Sequence, residues 1–126
     1  MKYQILTPTI HGLLDYVAAA GLIVFPFLLG LAETSAVALW LSVAGGIGLI
    51  AYSLVTDYAF GALGLVSFRA HLVLDLLAAV VFAAAPFVFG WTGLTLAYYL
   101  VMASGVLVVV ALSSTSAETA DAAAAR

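Results

Sequence analysis

His11-Gly12-Leu13-Leu14-Asp15 and His71-Leu72-Val73-Leu74-Asp75 are the stretches from which the fold can be read. Each places an aspartate four residues after a histidine, near the start of a long apolar run. Residues four apart share one face of a helix, so each pair makes a single polar spot on a greasy surface. The second stretch follows the first by sixty residues, and laying 11–56 over 71–116 without gaps extends the match. Pro26 meets Pro86, Phe27 meets Phe87, Gly30 meets Gly90, Gly45 meets Gly105 and Ser53 meets Ser113. Alanine and leucine coincide cheaply in so apolar a chain, but histidine, aspartate, proline and glycine in one register do not. The matched positions in the first run fall mostly on one helical face, which predicts two repeated helical hairpins.

Working outward, the composition sets the environment. Apolar residues make up 67% of the 126 and charged residues only 7%, too few to coat a soluble domain. The runs 10–31, 36–55, 70–90 and 94–112 are each about 20 residues, enough to cross roughly 30 Å of hydrocarbon. The expected fold is an all-α membrane protein of four transmembrane helices in one domain, 1–113. Repeat one spans 7–56 and repeat two 67–113, leaving 114–126 as a polar, flexible or marginally helical tail. The first run is long for a signal core and has a counterpart in mid-chain, so it reads as a retained span.

The local signals agree with this division. Thr7-Pro8 reads as an N-cap followed by proline at the first helical position, and Ser67 repeats the cap before the third span. Tight turns at 31–35 and 90–93 close the two hairpins, with Trp91 expected at interface depth. The small residues of Ala44-Gly45-Gly46-Ile47-Gly48 and Ala103-Ser104-Gly105 would let another helix come close. An even number of spans per repeat keeps both halves in one orientation, with a pseudo-twofold axis along the membrane normal. Lys2, Arg69 and Arg126, the basic residues of the chain, all fall on the side of the termini and the middle connection. The positive-inside rule then puts both termini and both His/Asp pairs on the cytoplasmic side.

His-Gly-Leu-Leu-Asp-Tyr at 11–16, Thr-Asp-Tyr at 56–58 and Ala-Pro-Phe-Val-Phe-Gly at 85–90 resemble the SPW-repeat membrane proteins. The resemblance covers most of 11–113 and implies a small bacterial inner-membrane protein of two helical-hairpin repeats. The family's Ser-Pro-Trp signature is reduced here to Phe25-Pro26-Phe27 and Ala85-Pro86-Phe87. The resemblance implies an architecture and no biochemical activity.

Several function classes drop out. The absence of cysteine removes disulfides, thiolate metal sites and iron–sulfur clusters. Nucleic acid has no basic patch to bind. No catalytic triad, phosphate loop or zinc-protease motif is evident, so no enzyme activity is expected. A transporter needs a lined path, and the halves of the spans away from the His/Asp pairs are expected to offer almost no polar side chains.

The polar pairs themselves allow more than one reading. At about 1.5 Å per residue, the histidines lie roughly 6 Å and the aspartates roughly 12 Å beyond their helix caps. A carboxylate at that depth must face the bundle interior and find a partner. His11, Asp15, His71 and Asp75 form the candidate site. They read first as a packing network, with Tyr16, Tyr52, Tyr58 and Arg69 as further donors to the carboxylates. They read alternatively as ligands of a divalent metal, or, through His11 and His71 alone, as axial ligands of a b-type haem. Proton or small-ion translocation by the carboxylates is the remaining class. The leading expectation is a non-catalytic structural or interaction module without a cofactor. Its partners would be the lipid bilayer and a larger membrane complex or a second copy.

Overall fold

A computed structural model describes the backbone of residues 5–124 and the side chains of 5–113. Four helices follow one another: α1 (Pro8–Leu28), α2 (Ala36–Leu54), α3 (Phe68–Phe89) and α4 (Gly93–Ala124), with a short 3₁₀ turn at Leu31–Glu33. Each is long and apolar enough to cross a membrane, α4 through its segment Gly93–Ser113. The backbone of α4 continues helical beyond that span into the stretch read as a tail. Large apolar side chains such as Val17, Leu28, Val80, Val101 and Val108 face outward, a coat suited to lipid and costly in water. The chain is a multi-pass membrane protein.

The helix ends follow the sequence closely. Thr7 Oγ1 accepts the amide of Ile10 at 3.2 Å, and Ser67 Oγ accepts that of Ala70 at 3.1 Å. Ser35 caps α2 in the same way, taking the amides of Val37 and Ala38. Each hydroxyl satisfies a donor that the first helical turn leaves without a backbone partner. Gly30 and Gly90 adopt left-handed backbone at φ 66° and 70°, which lets the chain reverse at the far ends of α1 and α3 without the clash a β-carbon would bring.

α1 lies against α2 and α3 against α4, forming two antiparallel hairpins. Gly46 makes the first close: a β-carbon there would stand 2.8 Å from the Ala19 carbonyl oxygen. The apolar core runs through both hairpins, including Ala19, Leu22, Leu49, Phe82, Tyr99 and Ala103. Trp91, expected at interface depth, is buried in this core and packs on Tyr99 with ring centroids 4.9 Å apart.

At mid-depth the hairpins part. A cavity of about 510 Å³ opens between them, walled by Leu14, Leu22, Leu49, Phe82, Val106 and their neighbours, with Asp15, Tyr52 and Asp75 at one end. Beyond its other end a ladder of hydroxyls joins α4 to the first hairpin. Tyr99 donates to the Ala38 carbonyl at 2.5 Å, and Thr95 Oγ1 to Thr34 Oγ1 at 3.0 Å. Ser42 donates to the Leu22 carbonyl at 2.8 Å. That carbonyl is the one Pro26, four residues on, has no N–H to bond, so Ser42 replaces a missing helix hydrogen bond. With its one proton spent there, Ser42 receives the Tyr98 hydroxyl at 2.6 Å. These groups correct the expectation that the halves of the spans away from the His/Asp pairs lack polar side chains.

Candidate functional site

The four sequence-derived residues converge. α1 and α3 start at the same end of the bundle, and the i, i+4 spacing turns His11 and Asp15, and His71 and Asp75, toward the seam between the hairpins. His11 Nε2 lies 2.9 Å from Asp75 Oδ2 and 3.2 Å from Asp15 Oδ1. His71 Nε2 lies 3.0 Å from Asp15 Oδ2 and 3.4 Å from Asp75 Oδ2. Each histidine thus reaches its own helix's carboxylate and, more closely, the carboxylate of the other hairpin. Both histidines are 0% exposed, Asp15 6% and Asp75 4%. The packing network had each aspartate accepting from the histidine one turn before it; the shorter contacts cross the seam instead.

Further side chains, partly missed by the sequence reading, fix the cluster's orientation. Thr56 Oγ1 donates to the Tyr52 carbonyl at 2.6 Å and meets His71 Nδ1 at 2.8 Å. Ser113 Oγ donates to the Val109 carbonyl at 2.6 Å and meets His11 Nδ1 at 2.8 Å. A hydroxyl has one proton, and in both cases it goes to the carbonyl one turn back. Both Nδ1 atoms must therefore be the donors, which leaves both Nε2 atoms facing the carboxylates. The carboxylates are held from outside as well: Tyr52 donates to Asp75 Oδ1 at 2.6 Å and Tyr58 to Asp15 Oδ2 at 2.8 Å. Tyr16, a third candidate donor, turns away to the Phe60 carbonyl.

The connection 55–67 closes the site from the membrane surface. It is folded back on itself, with Asp57 N–H on the Val66 carbonyl and Val66 N–H on the Val55 carbonyl. This brings Tyr58 over the cluster, 5.3 Å from the His71 ring, and Phe68 stacks beside it, 6.1 Å from the His71 ring and 6.0 Å from that of Tyr58. Gly12 makes room for the approach, since a β-carbon there would press on Tyr58 and Phe60. Burial pushes the Tyr58 phenol above its ordinary range and the Asp15 charge adds to this, so Tyr58 stays a proton donor.

The geometry separates the cofactor readings. A bis-histidine haem needs its two rings on opposite faces of a macrocycle, both Nε2 atoms aimed at the iron. Here the ring centroids are 5.3 Å apart, the rings nearly perpendicular, and both Nε2 atoms face carboxylates. Haem does not fit between them. One donor atom from each of the four residues lies within 4.8 Å of all the others, which suits a single small ion. Between this cluster and the hydroxyl ladder the cavity wall is apolar, so no polar side chains join the two ends among the described residues. No protein-family model, curated protein or solved structure matches the chain.

Proposed function

We propose that this chain, built on the SPW-repeat plan, is a non-catalytic membrane module that packs against a larger membrane complex as an accessory subunit. In this reading its two hairpins are related by a pseudo-twofold along the membrane normal, and both termini face the cytoplasm of a bacterial cell. The observation that carries the role is the cavity of about 510 Å³ between the hairpins. Protein interiors close such space, so a gap of this size between two clamped hairpins leaves room for side chains of a partner helix to insert. Gly48 and Gly105 on its rim have nothing within 4 Å of where a β-carbon would be, so a partner helix can approach their backbones closely. The polar groups nearby are consumed within the chain, which leaves shape and apolar contact as the means of recognition.

A photo-crosslinking residue at position 48 or 105, in cells expressing the chain at native level, tests this. The expected result is an adduct with a different membrane protein, absent when the probe sits at lipid-facing Val80, and a complex that survives mild detergent. Adducts only with lipid would overturn the reading. An adduct of two copies of this chain would replace the accessory role with homo-oligomerisation.

A further inference from the structure

We propose that His11, Asp15, His71 and Asp75 bind one first-row divalent cation of the zinc type, which bolts the two hairpins together inside the membrane. The inference is independent of the accessory role, since it concerns only the cluster.

Three observations carry it. The first is the tautomer. Thr56 and Ser113 take the Nδ1 protons, which directs each Nε2 lobe into the cluster. Metal-bound histidines are oriented in this manner, the other ring nitrogen donating to a fixed acceptor, and ligating carboxylates are likewise tied down. Tyr52 and Tyr58 supply those ties.

The second is an orphaned atom. His71 Nε2 is fully buried and comes within 3.0 Å of Asp15 Oδ2, yet the direction of approach makes no hydrogen bond. A proton on that nitrogen would meet the carboxylate out of line, and a poorly matched polar group in a buried site is expensive. A ligand of a tetrahedral ion behaves in this way, because its lone pair aims at the shared centre; His11 Nε2, by contrast, lies in line with Asp75 Oδ2 at 2.9 Å. With metal–ligand bonds of about 2.0–2.2 Å, neighbouring donors in a tetrahedron stand about 3.3–3.5 Å apart. The four nitrogen–oxygen distances here run from 2.9 to 3.4 Å and use both oxygens of Asp15, and one donor atom from each residue lies within 4.8 Å of the others, so the set draws in around the ion to form that shell.

The third is charge. Two carboxylates and two neutral imidazoles around one divalent ion sum to zero, the condition for a polar cluster to persist in hydrocarbon. Nitrogen and oxygen donors in a four-coordinate set favour zinc and its neighbours over calcium or magnesium, which ask for more oxygen ligands.

The competing occupant is a pair of protons, one on each Nε2, and the experiment distinguishes the two. The full chain, carrying no polyhistidine tag, is produced with zinc in the medium, purified in detergent, desalted and assayed for metal. One zinc per chain is expected. Exchange with cobalt should give the intense visible bands of a tetrahedral site, a signature that a packing role would not produce. H71A and D75A should abolish both signals. Because those variants can fail to fold, T56V and Y58F serve as a second arm: they keep all four ligands and should weaken zinc binding 10–100-fold. Absence of stoichiometric zinc and of cobalt bands in the folded wild-type chain would overturn the proposal. So would zinc binding that is undiminished in both T56V and Y58F, or that survives in a D15N/D75N chain.

Discussion

The two hairpins are joined at two places that use opposite chemistry. At the end where α1 and α3 begin, four ionisable side chains interlock across the seam, each histidine reaching both carboxylates. At the other end neutral hydroxyls cross from α4, each to a carbonyl or another hydroxyl. The ladder forms one bond per group and tolerates the loss of a rung. The cluster is mutual: removing any member takes a partner from at least two others in a medium that cannot replace it. Specific pairing of the hairpins therefore resides at the cluster, and the ladder sets the spacing at the opposite end.

The comparison breaks most sharply at Asp75, which contacts His11, His71 and Tyr52. D75A should cost about 3–5 kcal/mol in a denaturant titration of the detergent-solubilised chain, the scale of breaking one side of a buried ion pair. A loss no larger than that of a ladder variant would mean the two seams are equivalent. Packing within a hairpin forms the next step. G46A drives a β-carbon into Ala19 and Ile23 and should cost about 1–3 kcal/mol, while G48A, with open space around it, should cost next to nothing. Equal effects at the two glycines would remove the close α1–α2 approach from the account.

At the ladder, Y98F deletes one donor but leaves Ser42 bonded to the Leu22 carbonyl. The expected loss is about 0.6–1.7 kcal/mol, the range for hydrogen bonds between membrane helices. The smallest effect is one of pH. Burial raises the folded-state ionisation of Tyr58 above its ordinary value of 10.0, so its contribution is complete below pH 10 and declines as alkali exceeds that value. Stability curves of wild type and Y58F should run parallel below pH 10, with the wild type falling more steeply above it. Parallel curves throughout would show that Tyr58 ionises as freely in the folded chain as in the unfolded one.

The cluster was legible because its residues are rare in membrane helices and because i, i+4 spacing assigns them a common face before any packing is known. Whether the two pairs meet was open in the sequence, and the crossed contacts bring them together. The hydroxyls were not legible in this way. Ser42, Tyr98 and Tyr99 carry no spacing signal within their apolar helices, and Ser113 only that of the repeat, since their partners depend on how one helix is rotated against another. Thr56 illustrates the difficulty. The sixty-residue register pairs Ser113 with Ser53, yet His71 is held by Thr56, one turn further along the same face of the chain. Local spacing names the face, but which hydroxyl on it meets the ring is decided by the course of the connection 55–67. Trp91 makes a related point: its place in a turn speaks for interface depth, and the packing of α4 against that turn points the indole inward.

The spacing of each pair also bears on biosynthesis. The first hairpin enters the bilayer before α3 has been made, and at that stage Asp15 has no Asp75 or His71 to meet. It does have His11 one turn away, at 3.2 Å in the finished chain, and the second hairpin brings its own equivalent at 3.4 Å. With a second proton on that histidine, every hairpin carries a private counter-charge through insertion. Arrival of the second then adds the crossed contacts at 2.9 and 3.0 Å, so the encounter of the two halves completes the fold.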